Sequence, residues 1–486
     1  MASKAQNEEI IDPNGLDLFR LTMMVITASI CGGIFSLAGD MAAGGANTGA
    51  VIVSWGICFI GVFALMMVFN GLSQARPDLT GGIYAYAAAG FGDYIGFNSA
   101  WGYWISACLS NVSFALLLFS ALGYFFPAFG AGNNLLSIVC ASVFLWFLTA
   151  LVLRGVKEAA GINTIVTLAK LVPLGLFVLS IVLLGKFNVD IFMDNFWGEP
   201  AGPGFGEQVV STMIALVWVF TGIEGAVVIS GRAKYVRDVG RSTALGFAAV
   251  FTLYLIISML SLGIMPREEM AQLATPPWRE FSSAQSVRLV LHRKPWRYPF
   301  VGRRAAGLCH HCVRDAVRGG AQGSFPLAFA KTNKHDAPVV TVLVSSGITQ
   351  LFLIVSYVAA STYQFFYSCA VNTILVPYVC SAAYYMVIGW KNEHLDGPHA
   401  PSVGKARFFG TLGFIYTLFL VWSTGLQGVM ITTILFAPAI PVYMLGERGR
   451  GKPVLPHLHD KLIAAVVIVV AIISLYLHFA GIAPIV

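Results

Sequence analysis

Long apolar runs separated by short polar connections make up most of this chain. A helix of about 20 apolar residues crosses a bilayer. Runs of that kind fall near residues 17–42, 48–71, 95–126, 134–153, 161–185, 207–231, 241–265, 337–358, 363–388, 407–425, 427–446 and 461–483. They predict twelve transmembrane helices behind a polar tail over 1–16: seven spans in 17–265, two more in 337–388, and three C-terminal spans in 407–483. One stretch breaks the pattern. From Trp278 the chain reads WREFSSAQSVRLVLHRKPWRYPFVGRRAAGLCHHC, a dense basic segment running to Gly320.

Composition agrees with the pattern. Of 486 residues 57% are hydrophobic and 11% charged, against about 25% charged in soluble domains, and the mean hydropathy is +0.76. The fold class is an all-α polytopic membrane protein. The opening MASKAQNEEIIDPNG is polar and mixed in charge, and no small-residue cleavage site follows the first apolar run. That run is expected to remain as a membrane helix.

The net charge of +7 suggests an anionic partner until it is located. Residues 278–320 hold nine Lys and Arg against two acids, and removing them leaves 21 basic and 21 acidic residues. The excess belongs to the odd segment alone. Cationic loop residues favour the cytoplasmic side. With a cytoplasmic N-terminus, the inner loops carry Arg76, then Arg154 and Lys157, then Arg232, Lys234, Arg237 and Arg241. The outer loops hold only Lys186 and Arg267.

The alternation then demands one more crossing. Lys331 and Lys334, with the later clusters at Lys391, Lys405 and Arg407 and at Arg448, Arg450, Lys452 and Lys461, lie inside only if a span sits between about 266 and 331. As written, 278–320 cannot supply it, since each central Arg or Lys costs roughly 2.5–3.5 kcal/mol to insert. Codons compatible with these residues do permit, in shifted frames, an apolar helix followed by a polar exit. The segment therefore reads as a frameshift that replaces the eighth span. Cys309-His-His-Cys312 has metal-ligand residue types but no second ligand pair at zinc spacing, so no metal is expected. The Arg/Trp/Tyr mixture resembles a nucleic-acid surface in composition only, and no nucleic acid or cofactor is expected.

Chemistry-bearing residues cluster in two spans. The first contains ASICGGIFSLAGDMA, with Gly32 and Gly33 at mid-membrane; the sixth contains ALVWVFTGIEGAVVISG, with Gly222 and Gly225 around Glu224. Small residues permit close helix packing. Paired interruptions in corresponding halves instead point to a transport site, where unwound backbone offers free N–H and C=O groups. Intramembrane charges are costly and usually face a cavity, a partner or a proton path; Glu224 and Lys170, in VTLAKLVPLGLF, are two. Snorkelling is the other account of Lys170. Trp218 and Phe220, just before the sixth-span break, either cover a ligand or pack.

ICGGIF, RPDLTGGIYAYAAAGFG, WGYWISACLSN, VTLAKLVPLGLF and WVFTGIEGAVVISGRAKYVRDVG resemble the amino acid–polyamine–organocation (APC) superfamily. They are most similar to its basic amino acid/polyamine antiporters, the arginine–ornithine antiporter group in particular. The resemblance spans nearly the whole chain outside 278–320. It implies a leucine-transporter-like fold, a five-plus-five inverted repeat with extra C-terminal helices. It further implies that Ser29, Gly32 and Gly33 hold the substrate's carboxylate and α-amino group, and that Trp218, Phe220, Thr221 and Gly222 line or cap the site. Tyr103 and Asn111 would lie near the substrate, Glu224 would gate, and Lys170 would replace a coupling cation.

The expected function is exchange of arginine for ornithine by alternating access in a bacterial inner membrane, without enzymatic chemistry. The alternatives are a proton-coupled basic amino acid permease, or an inactive product of the frameshifted gene. A channel would need a continuous polar pore, and an enzyme an acid/base or metal cluster; the sequence offers neither outside 278–320. A homodimer is compatible with the sequence and not specified by it.

Overall fold

The computed structural model describes residues 15–30, 32–79, 82–154, 174–185, 187–199, 202–222, 224, 234–272, 325–334, 337–359, 362–397 and 400–483. The basic segment 278–320, with its Cys309–Cys312 cluster, and Lys170 lie outside the described residues.

The described chain is helical. In order the helices are α1 (Leu18–Ser29), α2 (Leu37–Ala43), α3 (Thr48–Ala75), α4 (Ile83–Phe91), α5 (Asp93–Phe125) and α6 (Leu135–Leu153). Then come α7 (Leu174–Leu183), α8 (Val189–Met193), α9 (Phe205–Phe220), α10 (Val236–Leu262) and α11 (Arg267–Gln272). The C-terminal part holds α12 (Val339–Val358), α13 (Tyr363–Lys391), α14 (Val403–Ser423), α15 (Gly425–Phe436), α16 (Ala439–Arg448) and α17 (Leu458–Phe479). Among the described residues nine helical stretches are long and apolar enough to cross a membrane, α15 and α16 counting together as Gly425–Arg448, and α1, α7 and α9 have shorter apolar stretches. Each coincides with one of the twelve predicted runs.

Chain direction sorts the helix ends onto two faces. The near face carries the start of α1, joined to the approach to α10 by the Lys234 N–H bond to the Leu16 carbonyl. It also carries Arg76 and the end of α13. The far face carries the end of α2, where Asn47 binds Gln208 at the head of α9 and Arg267 reaches the Gly45 carbonyl and Glu199.

Two spans are broken midway. α1, capped by the Asp17 carboxylate on the Arg20 N–H, stops at Ser29. A 3-10 turn over Gly32–Phe35 leads into α2. α9 stops at Phe220, where Thr221 turns extended (ψ 132°) and Gly222 takes φ +102°. A side chain at Gly222 would be strained there, so glycine fixes where α9 ends.

Apolar burial drives helices together weakly in lipid, so small-residue contacts and interhelical hydrogen bonds carry more of the packing. α5 and α13 form the densest pair. Ser106 and Ser113 of α5 donate to the carbonyls of Ala370 and Tyr363 on α13, at 2.8 and 2.7 Å. Trp104 of α5 donates to Ser345 of α12 at 2.8 Å. α17 lies at the edge, with an apolar surface largely exposed from Leu462 to Phe479.

Candidate functional site

The two breaks meet at Gly33 and Trp218. A Cβ built on Gly33 would lie 2.5 Å from Cδ1 of Trp218 and 2.6 Å from its Nε1. The indole therefore rests directly on the α1 break, and the glycine is what admits it. Trp218 is flanked by Phe114 of α5 (5.4 Å) and stacks on Tyr367 of α13 (5.4 Å, 20°). Buried polar groups are almost always paired. Yet neither Trp218 Nε1 nor the Ser29 hydroxyl, both buried, has a hydrogen-bond partner among the described residues. One orphan is a donor and the other a donor or acceptor, which suits a zwitterionic guest better than an apolar wall.

Ser29 closes α1, and its carbonyl is taken by the Tyr254 hydroxyl of α10 at 2.8 Å. Thr221 turns its hydroxyl back onto the Trp218 carbonyl at 2.7 Å, which closes the last turn of α9. Phe220, only two residues from Trp218, points elsewhere. It packs among Trp55, Phe247, Phe251 and Tyr254, with centroids 5.7–6.2 Å away. There it anchors α9 to α3 and α10.

Glu224, just past the α9 break, is 1% exposed. Its Oε2 accepts from the Tyr378 hydroxyl of α13 at 2.6 Å and from the Gly222 N–H at 3.1 Å. The Tyr103 side chain of α5 is a further hydrogen-bond partner. A carboxylate in this setting is tolerable only because neutral donors surround it. Three elements thus converge on one acidic group, which can receive a cation once a tyrosine yields. Asn111, also on α5, is buried, two turns beyond Tyr103. Gly32 lies in the 3-10 turn.

Tyr363, Tyr367 and Tyr378 join the site without standing out in the sequence. Their spacing places them on one side of α13 by helical periodicity, a signal present in YQFFYSCAVNTILVPYVC. Asp40 joins it too, through Tyr363. It sits inside the glycine-containing run of the first span and meets the same intramembrane-charge criterion that singled out Glu224.

A third tie closes the near face. Arg76, at the end of α3, binds Asp78 with two nitrogens, at 2.9 and 2.7 Å, and also donates to the Tyr384 hydroxyl of α13. The guanidinium bonds hold the Asp78 carboxyl below its usual range.

One amino acid permease model matches residues 16–287 and a second amino acid permease model matches 319–444. An arginine/ornithine antiporter of Pseudomonas aeruginosa is 38% identical, over 96% of this chain and 98% of that protein. A putative arginine/ornithine antiporter of Escherichia coli K12 is 35% identical, over 92% and 94% respectively. An arginine/agmatine antiporter of Chlamydia abortus is 36% identical, over 90% and 91%. With broken spans one and six joined at Gly33 and Trp218, and with these matches along nearly its whole length, the chain belongs to the amino acid permease family.

Proposed function

We propose that this protein exchanges basic amino acids across a bacterial inner membrane by alternating access, arginine against ornithine, with its N-terminus and near face in the cytoplasm. The observation that carries the reading is Glu224: a buried carboxylate at the α9 break, held by neutral donors. A guanidinium or ammonium brought to it would supply the opposite charge that the protein itself does not provide among the described residues. The names of the relatives point to the same substrate class.

The parts have separable tasks. Ser29 and the 3-10 turn at Gly32 and Gly33 offer backbone and hydroxyl groups to the amino acid's zwitterionic end. The Trp218 indole N–H is a donor for its carboxylate, while Trp218 and Tyr367 form an aromatic lid towards the far face. Tyr103, Tyr378 and Glu224 bind the cationic end. Asn111 contributes polar lining on α5, and Lys170 stands in for a coupling cation. Exchange follows if the empty carrier reorients slowly because Glu224 is then unneutralised in the membrane. Arginine and ornithine carry like charge, so one-for-one exchange moves no net charge.

Counterflow in proteoliposomes tests this. With the frame-restored chain, labelled arginine should enter vesicles loaded with ornithine or arginine and not empty ones. Equal entry into empty vesicles would favour a proton-coupled permease or uniporter.

A further inference from the structure

The fold treats Asp40 and Glu224 alike. Asp40 is on α2, seven residues beyond Gly33 and so about 10 Å further along the broken span. It lies on the far-face side of the break. Its Oδ1 accepts from the hydroxyl of Tyr363 and from Nε2 of Gln364 at 3.3 Å, and Ser36 is a further side-chain partner. All three are neutral, and no Lys or Arg pairs with Asp40 among the described residues. An intramembrane carboxylate with only neutral donors is expensive to keep.

The surroundings connect this group to the site. The Tyr363 ring lies 5.7 Å from that of Tyr367, which stacks on Trp218, which rests on Gly33. A continuous row of rings therefore runs from Asp40's partner to the α1 break. Tyr363 and Gln364 are the first residues of α13, where a helix gives way most easily. The Asp40 carboxylate is buried beneath Tyr363 and Gln364, so these two side chains must give way before a cation can reach it. On the other side of the break, Tyr378 of the same helix covers Glu224.

We propose that Asp40 is a second cation-binding station, between the far face and the central site, which holds the guanidinium or ammonium of a substrate in transit. Tyr363 and Gln364 occupy it when no substrate does. The station rests on the transport reading above, and the test separates the two.

Full-length protein, expressed from a gene verified across codons 270–325, is reconstituted with one orientation. Arginine exchange is then measured from each face. Asp40→Asn preserves shape and removes the charge. It should raise the far-face KM for arginine about tenfold or more, with kcat and the near-face KM changed less than about twofold. Asp40→Glu should recover most of the loss. Tyr363→Phe removes the competing donor, so the far-face KM should fall or stay level. Equal changes at both faces, or parallel changes in Asp40→Asn and Tyr363→Phe, would make the pair a helix latch and overturn the station. A wild type that shows no exchange refutes the transport reading instead. The station is then judged by binding, as the rise in melting temperature that arginine gives in detergent. That rise should be smaller in Asp40→Asn, and an equal rise in both overturns it.

Discussion

Tyr378 donates a 2.6 Å hydrogen bond to the Glu224 carboxylate and thereby ties unbroken α13 to the break in α9. The same helix reaches Asp40 through Tyr363 and Arg76 through Tyr384. Tyr363 and Tyr378 are roughly 22 Å apart at about 1.5 Å per residue. α13 is thus a rail to which both broken spans and the near-face loop are fastened, and alternating access must unfasten them in turn.

Tyr378→Phe leaves Glu224 with the Gly222 N–H and Tyr103. A hydrogen bond to a charged group contributes about 1.5–3 kcal/mol. The variant should lose roughly tenfold or more in kcat/KM for arginine, measured by counterflow. Glu224→Gln should lose exchange altogether, and Glu224→Asp should retain part of it.

Gly33→Ala places a methyl 2.5 Å from the Trp218 indole, closer than unstrained packing allows. Exchange should fall steeply, and a smaller ring should relieve the clash: Gly33→Ala with Trp218→Phe should be more active than Gly33→Ala alone. A double variant no better than the single would show that the close contact is not what limits Gly33.

Phe220 and Trp218 are neighbours in sequence with different tasks. Truncating a buried Phe costs about 3–5 kcal/mol in well-packed cores. Phe220→Ala should therefore lower the melting temperature markedly while the folded fraction keeps its arginine affinity. Trp218→Ala, at an equally buried ring, should lower the melting temperature as well and in addition weaken arginine binding in the folded fraction. Binding and thermal unfolding measured on both variants check the pair.

The Arg76–Asp78 tie should be indifferent to pH across the physiological range. The Asp78 carboxyl is held below its usual range by Arg76. Its contribution is therefore fully present above the unfolded value of about 3.9, and it is lost only as pH falls through the lower folded value. Asp78 is largely exposed, so the effect is about 0–1 kcal/mol. The melting-temperature difference between wild type and Asp78→Asn should be small and flat from about pH 5 to pH 8.

Residues 278–320 carry the entire net positive charge and fall where the alternation of loop charge predicts a span. The account predicts single-base slips between about codons 270 and 325. Sequencing the gene checks this, and an uninterrupted frame would reject it. The chain as given should fail to exchange, and a frame-restored chain should work.

The nine membrane-length helices among the described residues were legible because bilayer thickness sets one length scale and water-facing connections stay polar. The breaks were legible at Gly32–Gly33 and Gly222, since glycine interrupts a helix by itself. The partners of Glu224 and Trp218 were not. Tyr378, Tyr367 and Phe114 lie far along the chain, and a tyrosine in an apolar run reads the same whether it meets lipid or a carboxylate. Phe220 shows the converse limit: two residues from Trp218, it faces Trp55 and Phe251 because α9 turns by about 200° over that distance.

The central claim is that a carboxylate at the α9 break selects a positive charge. Equilibrium binding of arginine and of citrulline, its neutral isostere, to purified wild type and Glu224→Gln tests it most directly. The account predicts that wild type binds arginine at least about tenfold more tightly than citrulline, and that Glu224→Gln loses this preference. Undiminished arginine preference in Glu224→Gln would contradict it.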